Sequence, residues 1–537
     1  MTNRSYKIGL CREQESFFPP RLEDYVGRDN PVRAIEAYAA GLDLAGLGFR
    51  HADGGGGAGQ PPYAPADLLK LYLYGYLNKV RSSRCLEREA CRNVEVMWLL
   101  RGLTPGYRTI SDFRKDNVDA LKAANRAFVL LLKALDLVGG ELVAIDGAFF
   151  HGDASKASIV TRKRLAEQVA GVERDIEAYS TALEANDATE EQLPTTAEPS
   201  GEDLAEKISA LMAEKARMKA DMARLEASGE TQLSRTDPDA RLLSKKGQVV
   251  AGYNVQIVVD DRHKLIVASN VVNDGNDSGQ LHEIAAAAKE ALGVETLQAA
   301  ADSGYYNGDT LRACETDDIV AYVPEADRTK RLAKQDRFTL KEFTYEAAQD
   351  AYRCPVGAEL RPMKGYKQDV GGKLHVRYAA FQSVCGVCRL RSRCLTGKAR
   401  RREVLRWQHQ EVIDRHRVRM AQAVADTMMR RRAALAEHPF GTLKCRAGYR
   451  HLLLRGFHRV RGEWSLMALC YNFARVLSIL GLDRFLAYLA KNHSNRSRLL
   501  PKALTDIVLR LRTDMPRLWS GIGRPITAIR PALGHAA

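Results

Sequence analysis

The spacing of apolar and polar residues predicts that the first quarter of the chain is helical. Across residues 1–140, apolar side chains recur at helical intervals, most densely in "APADLLKLYLYGYLNKV", Ala64 to Val80. A glycine-rich loop, Ala52 to Pro62, separates this helix from an opening one. We therefore predict a helical amino-terminal domain over 1–140, with helices at Asn30–Leu44, Ala64–Val80 and Ser82–Leu100 and a further one from Thr109.

A heptad pattern occupies residues 161–230. Apolar residues alternate steps of four and three from Leu165 to Leu183, and again from Leu204 to Leu225, where Lys215 fills one core position. Two such segments joined by a polar loop are typical of an antiparallel coiled-coil hairpin. We interpret this hairpin as an insert without catalytic residues.

Strand signals lie on both sides of the predicted hairpin. "ELVAID" precedes it, and "GQVVAGYNVQIVVD" with "KLIVASNVV" follows it as a predicted β-hairpin. "SGQLHEIAAAAKEAL" then predicts a helix, "TLQAAAD" a strand, Thr310 the start of another helix, and "DIVAYVP" a last strand. The fold class is therefore α/β, with a core assembled from 141–160 and 235–330.

Two of these predicted strands end in an acid. Asp146 follows the apolar run "LVAI", and Asp302 follows "LQAAA". An aspartate at a strand end is often only a turn former, but open sheets place their sites at the carboxyl ends of strands. Two adjacent carboxylates can bind Mg²⁺ or Mn²⁺, hard cations that prefer oxygen ligands and act on phosphate substrates.

The charge of the chain favours a polyanionic partner. Its formal net charge is +15. The segment from Lys398 to Glu463 contains 17 Lys and Arg against 6 Asp and Glu. Such a concentration suits nucleic acid, and the alternative is a solvated helical surface. In the amino-terminal helices, Arg108, Arg114 and Lys115 are consistent either with a helix-turn-helix-like DNA reader or with a plain helical bundle.

A third acid for metal binding is available within the basic segment, which we assign to residues 401–490. In an unbroken helix Arg430, Glu437 and Lys444 lie seven residues apart and share one face, so the acid is flanked by cations suited to phosphate. Pro439 can kink that helix and place Glu437 near a helix start. Glu463 is the competing acid, but we expect it to pair with Arg459 or Arg461 at a packed helix.

Five motifs occur in order along the chain: "VAIDG", "GYNVQ", "AADSGYYN", "EHPFGTLK" and "YRHLLLRGFHRVRGEWSLMALCYNFARVL". Together, and in this order, they resemble those of the DDE transposases of bacterial insertion sequences, in the ribonuclease H-like, retroviral-integrase-like superfamily. The resemblance implies a mixed five-stranded sheet with a catalytic triad of Asp146, Asp302 and Glu437. Glu437 and Lys444 resemble the family's glutamate–lysine element. The arginine at a fixed offset before the glutamate is out of register, because position 433 is Ala and Arg430 to Arg432 lie nearby.

The same resemblance implies the activity and the partners. They are Mg²⁺-dependent cleavage at the ends of a mobile element, joining of 3′ hydroxyls to target DNA, and a homodimer or higher oligomer on DNA. Two alternatives remain open: a ribonuclease H-like nuclease that cuts without joining, and a catalytically silent DNA-binding protein derived from a transposase.

Four of the ten cysteines are grouped within residues 331–400. Cys354, Cys385, Cys388 and Cys394 include one Cys-x₂-Cys pair, which is consistent with a structural Zn²⁺ bound by four thiolates. The alternative is four free buried thiols. The remaining cysteines are scattered singly, as expected of small apolar residues.

The sequence gives no sign of membrane insertion. The start of the chain lacks the apolar stretch of a secretory signal. The longest apolar run, Phe128 to Val138, is too short and too charged to span a bilayer. We expect a cytoplasmic protein that associates with the nucleoid through DNA, ending in a basic tail over 491–537.

Overall fold

A computed structural model describes residues 21–54, 61–190, 201–245, 247–325, 336–368 and 372–491. The predicted basic tail, apart from its first residue, therefore lies outside the described residues. So does part of the glycine-rich loop.

The amino-terminal region is helical, as predicted, but one predicted helix is divided in two. Asn93 interrupts the segment Ser82–Leu100, and its side-chain oxygen accepts hydrogen bonds from the backbone N–H of Glu95 (3.0 Å) and Val96 (3.4 Å). This polar residue caps the second helix and ends the first. The helices are α1 (Val32–Ala40), α2 (Pro65–Leu77), α3 (Ser83–Arg92), α4 (Val94–Leu100), α5 (Tyr107–Asp116) and α6 (Val118–Ala134).

The heptad segment forms two long helices that pack against each other. After strands β1 (Leu142–His151) and β2 (Ile159–Thr161) come α7 (Arg162–Glu190) and α8 (Gly201–Ser228). Leu165 and Val172 of α7 and Met218 of α8 are buried together, and all three are predicted heptad core positions. A short strand, β3 (Gln232–Ser234), then pairs with β2 at the base of the two helices.

Among the described residues the central sheet is mixed and contains six strands, one more than the resemblance implies. β5 is antiparallel to β1, whereas β7 and β8 run parallel to β1. The order is β4-β5-β1-β7-β8, with β6 also paired to β5. The additional strand is β4, which pairs with the first residues of β5. The bounds are β4 (Arg241–Lys245), β5 (Gln248–Asp260), β6 (Ile266–Val272), β7 (Leu297–Ala300) and β8 (Ile319–Tyr322), with helices α9 (Leu281–Leu292) and α10 (Gly308–Thr316) between them.

The four-cysteine segment folds around a second sheet that the sequence analysis did not predict. Five antiparallel strands run in the order β13-β12-β11-β10-β9. Their small core contains Phe343, Tyr352, Leu360 and Tyr378. The elements are β9 (Thr344–Glu346), β10 (Ala351–Arg353), β11 (Glu359–Gln368), β12 (Leu374–Ala379), α11 (Gln382–Gly386), α12 (Arg391–Cys394) and β13 (Glu403–Trp407).

The basic segment completes the central core with helices. These are α13 (Gln410–Met420), α14 (Ala423–Phe440), a π-helix (Gly441–Arg446) and α15 (Phe457–Leu480). Most of α15 is buried, and one continuous core joins it to the amino-terminal helices and the central sheet. No single helix in the described residues is long and apolar enough to cross a membrane; α15 and the helix Leu482–Lys491, bent by 109°, reach that length and composition only as a pair.

A buried carboxylate joins the amino-terminal helices to α15. Glu463 is 0 % exposed, and its Oε2 accepts hydrogen bonds from the backbone N–H of Leu453 (2.8 Å) and Leu454 (3.0 Å). Its Oε1 lies 3.7 Å from Arg114 Nη1 of α5 and 3.9 Å from Arg81 Nη1. Glu463 therefore pairs with arginines of the amino-terminal region, and the expected pairing with Arg459 or Arg461 is wrong.

We predict that Glu463→Gln destabilises the protein strongly. The change leaves Arg114 buried without a counter-charge, and breaking one side of a buried ion pair costs about 3–5 kcal/mol. Urea denaturation should show this loss in the free energy of unfolding. Glu437→Gln, at an exposed position, is the matched control and should change that free energy by less than about 0.5 kcal/mol. Equal stability of the two variants would contradict the structural role of Glu463.

Candidate active site

Strand register brings the two predicted aspartates to the same level of the sheet. β1 and β7 are parallel neighbours in which Ala144 lies opposite Ala300. Asp146 and Asp302 each follow two residues later, so they meet at one edge of the strand pair. The prediction that Asp146 ends its strand is wrong, because β1 continues to His151 alongside β5.

A guanidinium lies between these two carboxylates. Arg432 Nη2 of α14 is 2.9 Å from Asp146 Oδ1 and 3.9 Å from Asp302 Oδ2. Burial raises the pKa of Asp146 above its usual value, and the charge of Arg432 opposes that rise. Arg432 therefore places a positive charge beside both carboxylates and offsets part of their mutual repulsion.

A third aspartate, which the sequence analysis missed, lies beside the pair. Asp277 is 6 % exposed and accepts hydrogen bonds from Asn254 Nδ2 (2.7 Å), Gln256 Nε2 (2.7 Å) and Lys245 Nζ (3.3 Å). Asn254 and Gln256 lie two residues apart on β5 and so share a face of the sheet. The sequence signal was available in "GYNVQ" and "NDGNDSG", but the second of these was indistinguishable from an ordinary turn.

A buried tyrosine indicates how close the three acids are. Tyr305 donates a hydrogen bond to Gln256 Oε1. Its pKa is raised well above the usual value, first by burial and then by the charges of Asp277, Asp146 and Asp302. One phenol is thus influenced by all three carboxylates.

Two glycines are required by this packing. A Cβ at Gly147 would lie 2.7 Å from Asp277 Oδ1, and a Cβ at Gly304 would lie 2.9 Å from Asp302 Oδ1. Both distances are shorter than van der Waals contact allows. The glycine after Asp146 therefore leaves room for the carboxylates, which explains the Asp-Gly pair in "VAIDG".

Glu437 lies on the same helix as Arg432 but is exposed, in the last turn of α14. α14 runs through Pro439, so the expectation that Glu437 lies near a helix start is wrong. In the described part of the chain, no three His, Cys, Asp or Glu side chains form a group that could hold a metal ion. The acid pair has oxygen donors of the kind that Mg²⁺ or Mn²⁺ prefers, and Arg432 lies between them.

Lys444 lies in the π-helix and reaches β1 beyond Asp146. Its Nζ donates a 2.6 Å hydrogen bond to the backbone carbonyl of Phe149 and lies 4.3 Å from the ring centroid of Phe150. Burial lowers the pKa of Lys444 to about 8, against the opposing effect of Asp146. Lys444 thus points toward β1, whereas Arg430 is exposed on α14. The predicted alignment of Arg430, Glu437 and Lys444 on one helix face is therefore not formed.

The three predicted DNA contacts of the amino-terminal helices have different environments. Arg108 and Lys115 are exposed on α5. Arg114 is only 5 % exposed and points inward to Glu463. The expectation that Arg114 contacts DNA is therefore wrong, because its guanidinium is engaged in the protein interior.

Two family models match the chain. One is described as "Transposase DDE domain" and matches residues 353–477, and the other is described as "Transposase domain (DUF772)" and matches residues 20–116. Together the two matches indicate a DDE-type transposase of insertion sequences. No curated protein and no solved structure matches it.

Neither match includes residues 117–352, which contain the strands of the central sheet. Glu437, Lys444 and Glu463 lie within the matched DDE domain, whereas Asp146 and Asp302 lie between the two matched regions. The pairing of these aspartates in the transposase is therefore supported by strand register and ion pairing.

The grouped cysteines of the transposase surround one small cavity. Cys354, from the turn after β10, and Cys385, Cys388 and Cys394, from the α11–α12 region, line a space of about 30 Å³. All four are free thiols. Burial raises the pKa of Cys394, and the other three cysteines raise it further. Residues more than thirty positions apart thus converge, although not in an arrangement that holds a metal.

We predict a pH-dependent contribution of Lys444 to stability. Its pKa in the folded transposase is about 8, below the ordinary 10.5. Between these values the unfolded chain binds a proton that the folded protein has lost, so this group makes stability rise with pH. The unfolding free energy of wild type relative to Lys444→Met should be constant below about pH 8 and increase up to about pH 10.5.

The control for this prediction is Lys163→Met, which removes a lysine that is 88 % exposed. Urea denaturation across this pH range should give no such trend for Lys163→Met. A trend of the same size in both variants would rule out burial of Lys444 as its cause.

Proposed function

We propose that this transposase cleaves the ends of an insertion sequence and joins the freed 3′ hydroxyls to target DNA. The observation that carries the proposal is the pair Asp146 and Asp302, which the pairing of β1 with β7 brings to one level and which both lie within ion-pair distance of Arg432. Phosphoryl transfer depends mainly on positioning and charge stabilisation, and paired carboxylates with oxygen donors suit the divalent cations used for it.

We propose that the central sheet is a ribonuclease H-like core. The order of β6, β5, β1, β7 and β8, with β7 and β8 parallel to β1, supports a mixed five-stranded sheet to which β4 is added. The paired helices α7 and α8 support the coiled-coil hairpin as an insert between the first strand and the rest of the sheet.

In this mechanism Asp146, Asp302 and Glu437 would hold Mg²⁺ or Mn²⁺. Bound ions of this kind supply an activated nucleophile and stabilise the leaving oxygen. Glu437 extends from the last turn of α14, the helix that presents Arg432 to the two aspartates. Lys444 adds positive charge beside Asp146 for a DNA phosphate.

The two chemical steps are direct displacements at phosphorus. In cleavage, a water oxygen bonds to the phosphorus at the element end, the bond from phosphorus to the 3′ oxygen breaks, and that oxygen gains a proton. In joining, the new 3′ hydroxyl loses its proton, bonds to a target phosphorus and displaces the target 3′ oxygen. Asp277, Asn254 and Gln256 keep the floor of the site fixed through their hydrogen bonds.

We propose that DNA contacts the exposed cations on both sides of this site. Arg108 and Lys115 on α5 and Arg430 on α14 are exposed, and phosphate contacts of this kind fix the register of DNA without reading its sequence. We further propose a homodimer or higher oligomer on DNA, because the two ends of an element must be held together for joining.

One observation favours a second candidate, a catalytically silent DNA-binding protein. Arg432 already places one positive charge against the acid pair, as expected if no metal binds there. A nuclease that cuts without joining has the same site. Metal-dependent cleavage separates the silent protein from the other two candidates, and strand transfer separates those two.

We predict that Asp146→Asn, Asp302→Asn and Glu437→Gln each reduce Mg²⁺- or Mn²⁺-dependent nicking and strand transfer by more than about 10²-fold. The DNA carries the element's own ends, and DNA affinity should stay near that of wild type. The control is Asp317→Asn, an aspartate beyond α10 and outside the acid pair, which should cleave normally. Normal cleavage by Asp146→Asn or Asp302→Asn would contradict the assignment of these aspartates to the active site.

We also propose that the four converging cysteines close on a structural Zn²⁺, which draws their sulfurs into the metal-holding arrangement that they lack without it. Support comes from the shared cavity, the absence of disulfides among these residues and the interaction of their thiols. Zn²⁺ bound by four thiolates would link the turn after β10 to α11 and α12. The small core of this region, with Leu360 and Tyr378, gains a cross-link in this way.

We predict about one zinc per purified chain by elemental analysis, and a loss of most of it in Cys385→Ser. Because structural zinc contributes directly to folding, the same variant should lose solubility. Cys91→Ser, which changes an exposed single cysteine of α3, should keep wild-type zinc and solubility. A folded wild-type protein without zinc would contradict the proposal and favour free thiols.

A further inference from the structure

We propose that Arg432 is a positioning residue that couples metal binding to DNA binding. In the DNA-free transposase its guanidinium occupies the cation position between Asp146 and Asp302, and on DNA binding it transfers to a backbone phosphate and opens that position. The inference rests on the proposed function, in which this acid pair binds the metal. It adds that the metal ion and DNA each increase the affinity of the transposase for the other, and that Arg432 links the two.

The geometry limits Arg432 to one strong contact. A single nitrogen, Nη2, serves both carboxylates, at 2.9 Å from Asp146 and 3.9 Å from Asp302. Arg432 Nε is buried and has no hydrogen-bond partner among the residues that the structure describes. Arginine binds phosphate best through two parallel hydrogen bonds. The two aspartates thus contact only Nη2 of the Arg432 guanidinium, and Nε remains as a donor for a phosphate oxygen.

Three consecutive arginines on α14 have different environments, and only one reaches the acids. Arg430 is exposed, and Arg431 forms an ion pair with Asp261, away from the site. Arg432 lies four and eight residues before the buried Ala436 and Phe440, on the face of α14 that packs against the sheet. Packing of the helix therefore directs this one cation at the acid pair.

Electrostatics make the guanidinium and a divalent cation competitors. Both are stabilised by the same half-buried carboxylates, whose side chains are 19 % and 33 % exposed. A cation that enters must displace Arg432 or bind beside its positive charge. A DNA phosphate offers the guanidinium of Arg432 another anion. If DNA draws Arg432 away from the acids, DNA strengthens metal binding. Because coupling is reciprocal, bound metal then strengthens DNA binding by the same factor.

The test is Mn²⁺ affinity, measured by electron paramagnetic resonance of free Mn²⁺ with and without a short DNA duplex, after subtraction of binding to the duplex alone. We expect DNA to tighten Mn²⁺ binding by wild type about tenfold. Arg432→Ala and Arg432→Gln should bind Mn²⁺ about tenfold more tightly than wild type without DNA and gain little more with it. Folding is checked by circular dichroism, and the second variant replaces the first if truncation unfolds the protein.

Arg431→Ala is the matched control, because it removes the same charge from the adjacent position without touching the acid pair. It should retain both the wild-type affinity and the response to DNA. Equal Mn²⁺ affinity of wild type and both Arg432 variants would overturn the coupling while leaving the metal site intact. Unchanged Mn²⁺ binding by Asp146→Asn is a different result, which would overturn the proposed metal site and the coupling with it.

Discussion

Two carboxylates fixed at the same level of adjacent parallel strands repel each other, and much of the site can be understood as a response to that constraint. Backbone pairing of β1 with β7 sets the level of both acids, with Asp146 within β1 and Asp302 two residues beyond the last paired residue of β7. Arg432 of α14 places one positive charge between them. Positions 147 and 304 are glycines, because a Cβ at either one would lie too close to a carboxylate oxygen. A site strained in this way is stabilised by any cation, whether it comes from the protein or from solvent.

The parts of the fold that depend on local pattern could be predicted, and those that depend on distant residues could not. The alternation and apolar runs of β5 to β8 and the heptads of α7 and α8 are properties of neighbouring residues, and the described elements follow them closely. Asp277 and Arg432 reach the site only through tertiary packing, from a turn and from a helix far along the chain. Asp277 was indistinguishable from a turn former, and Arg432 was one of three similar arginines until the face of α14 was known. The second sheet was missed because β9 and β10 have only three residues each, and because β11 contains Pro362 and Gly365, residues that are unusual inside a strand.

The two glutamates of the matched DDE domain illustrate why burial decides a role that sequence leaves open. Glu463 is enclosed, with two backbone donors and two arginines around it. A metal ion would have to replace these partners, which makes Glu463 a structural anchor between α15 and the amino-terminal helices. Glu437 is exposed on the helix that carries Arg432, so a bound ion would cost it no internal contact. The same reasoning removes Arg114 from the DNA surface, because its charge is already committed to Glu463.

The end of α14 shows how backbone chemistry places two cations near one strand. Arg432 and Lys444 are twelve residues apart, which in a regular α-helix is about three and a third turns and leaves their side chains about 120° apart. Pro439 lacks the N–H that would bond the carbonyl four residues earlier, and the helix continues as a π-helix from Gly441 to Arg446. A π-turn contains more residues than an α-turn, so it rotates Lys444 back toward the face that Arg432 occupies. Lys444 then reaches Phe149 while Arg432 reaches Asp146, both on β1. Proline within "EHPFGTLK" therefore need not disrupt the site, because the irregular turn it accompanies brings the lysine to the carboxylates.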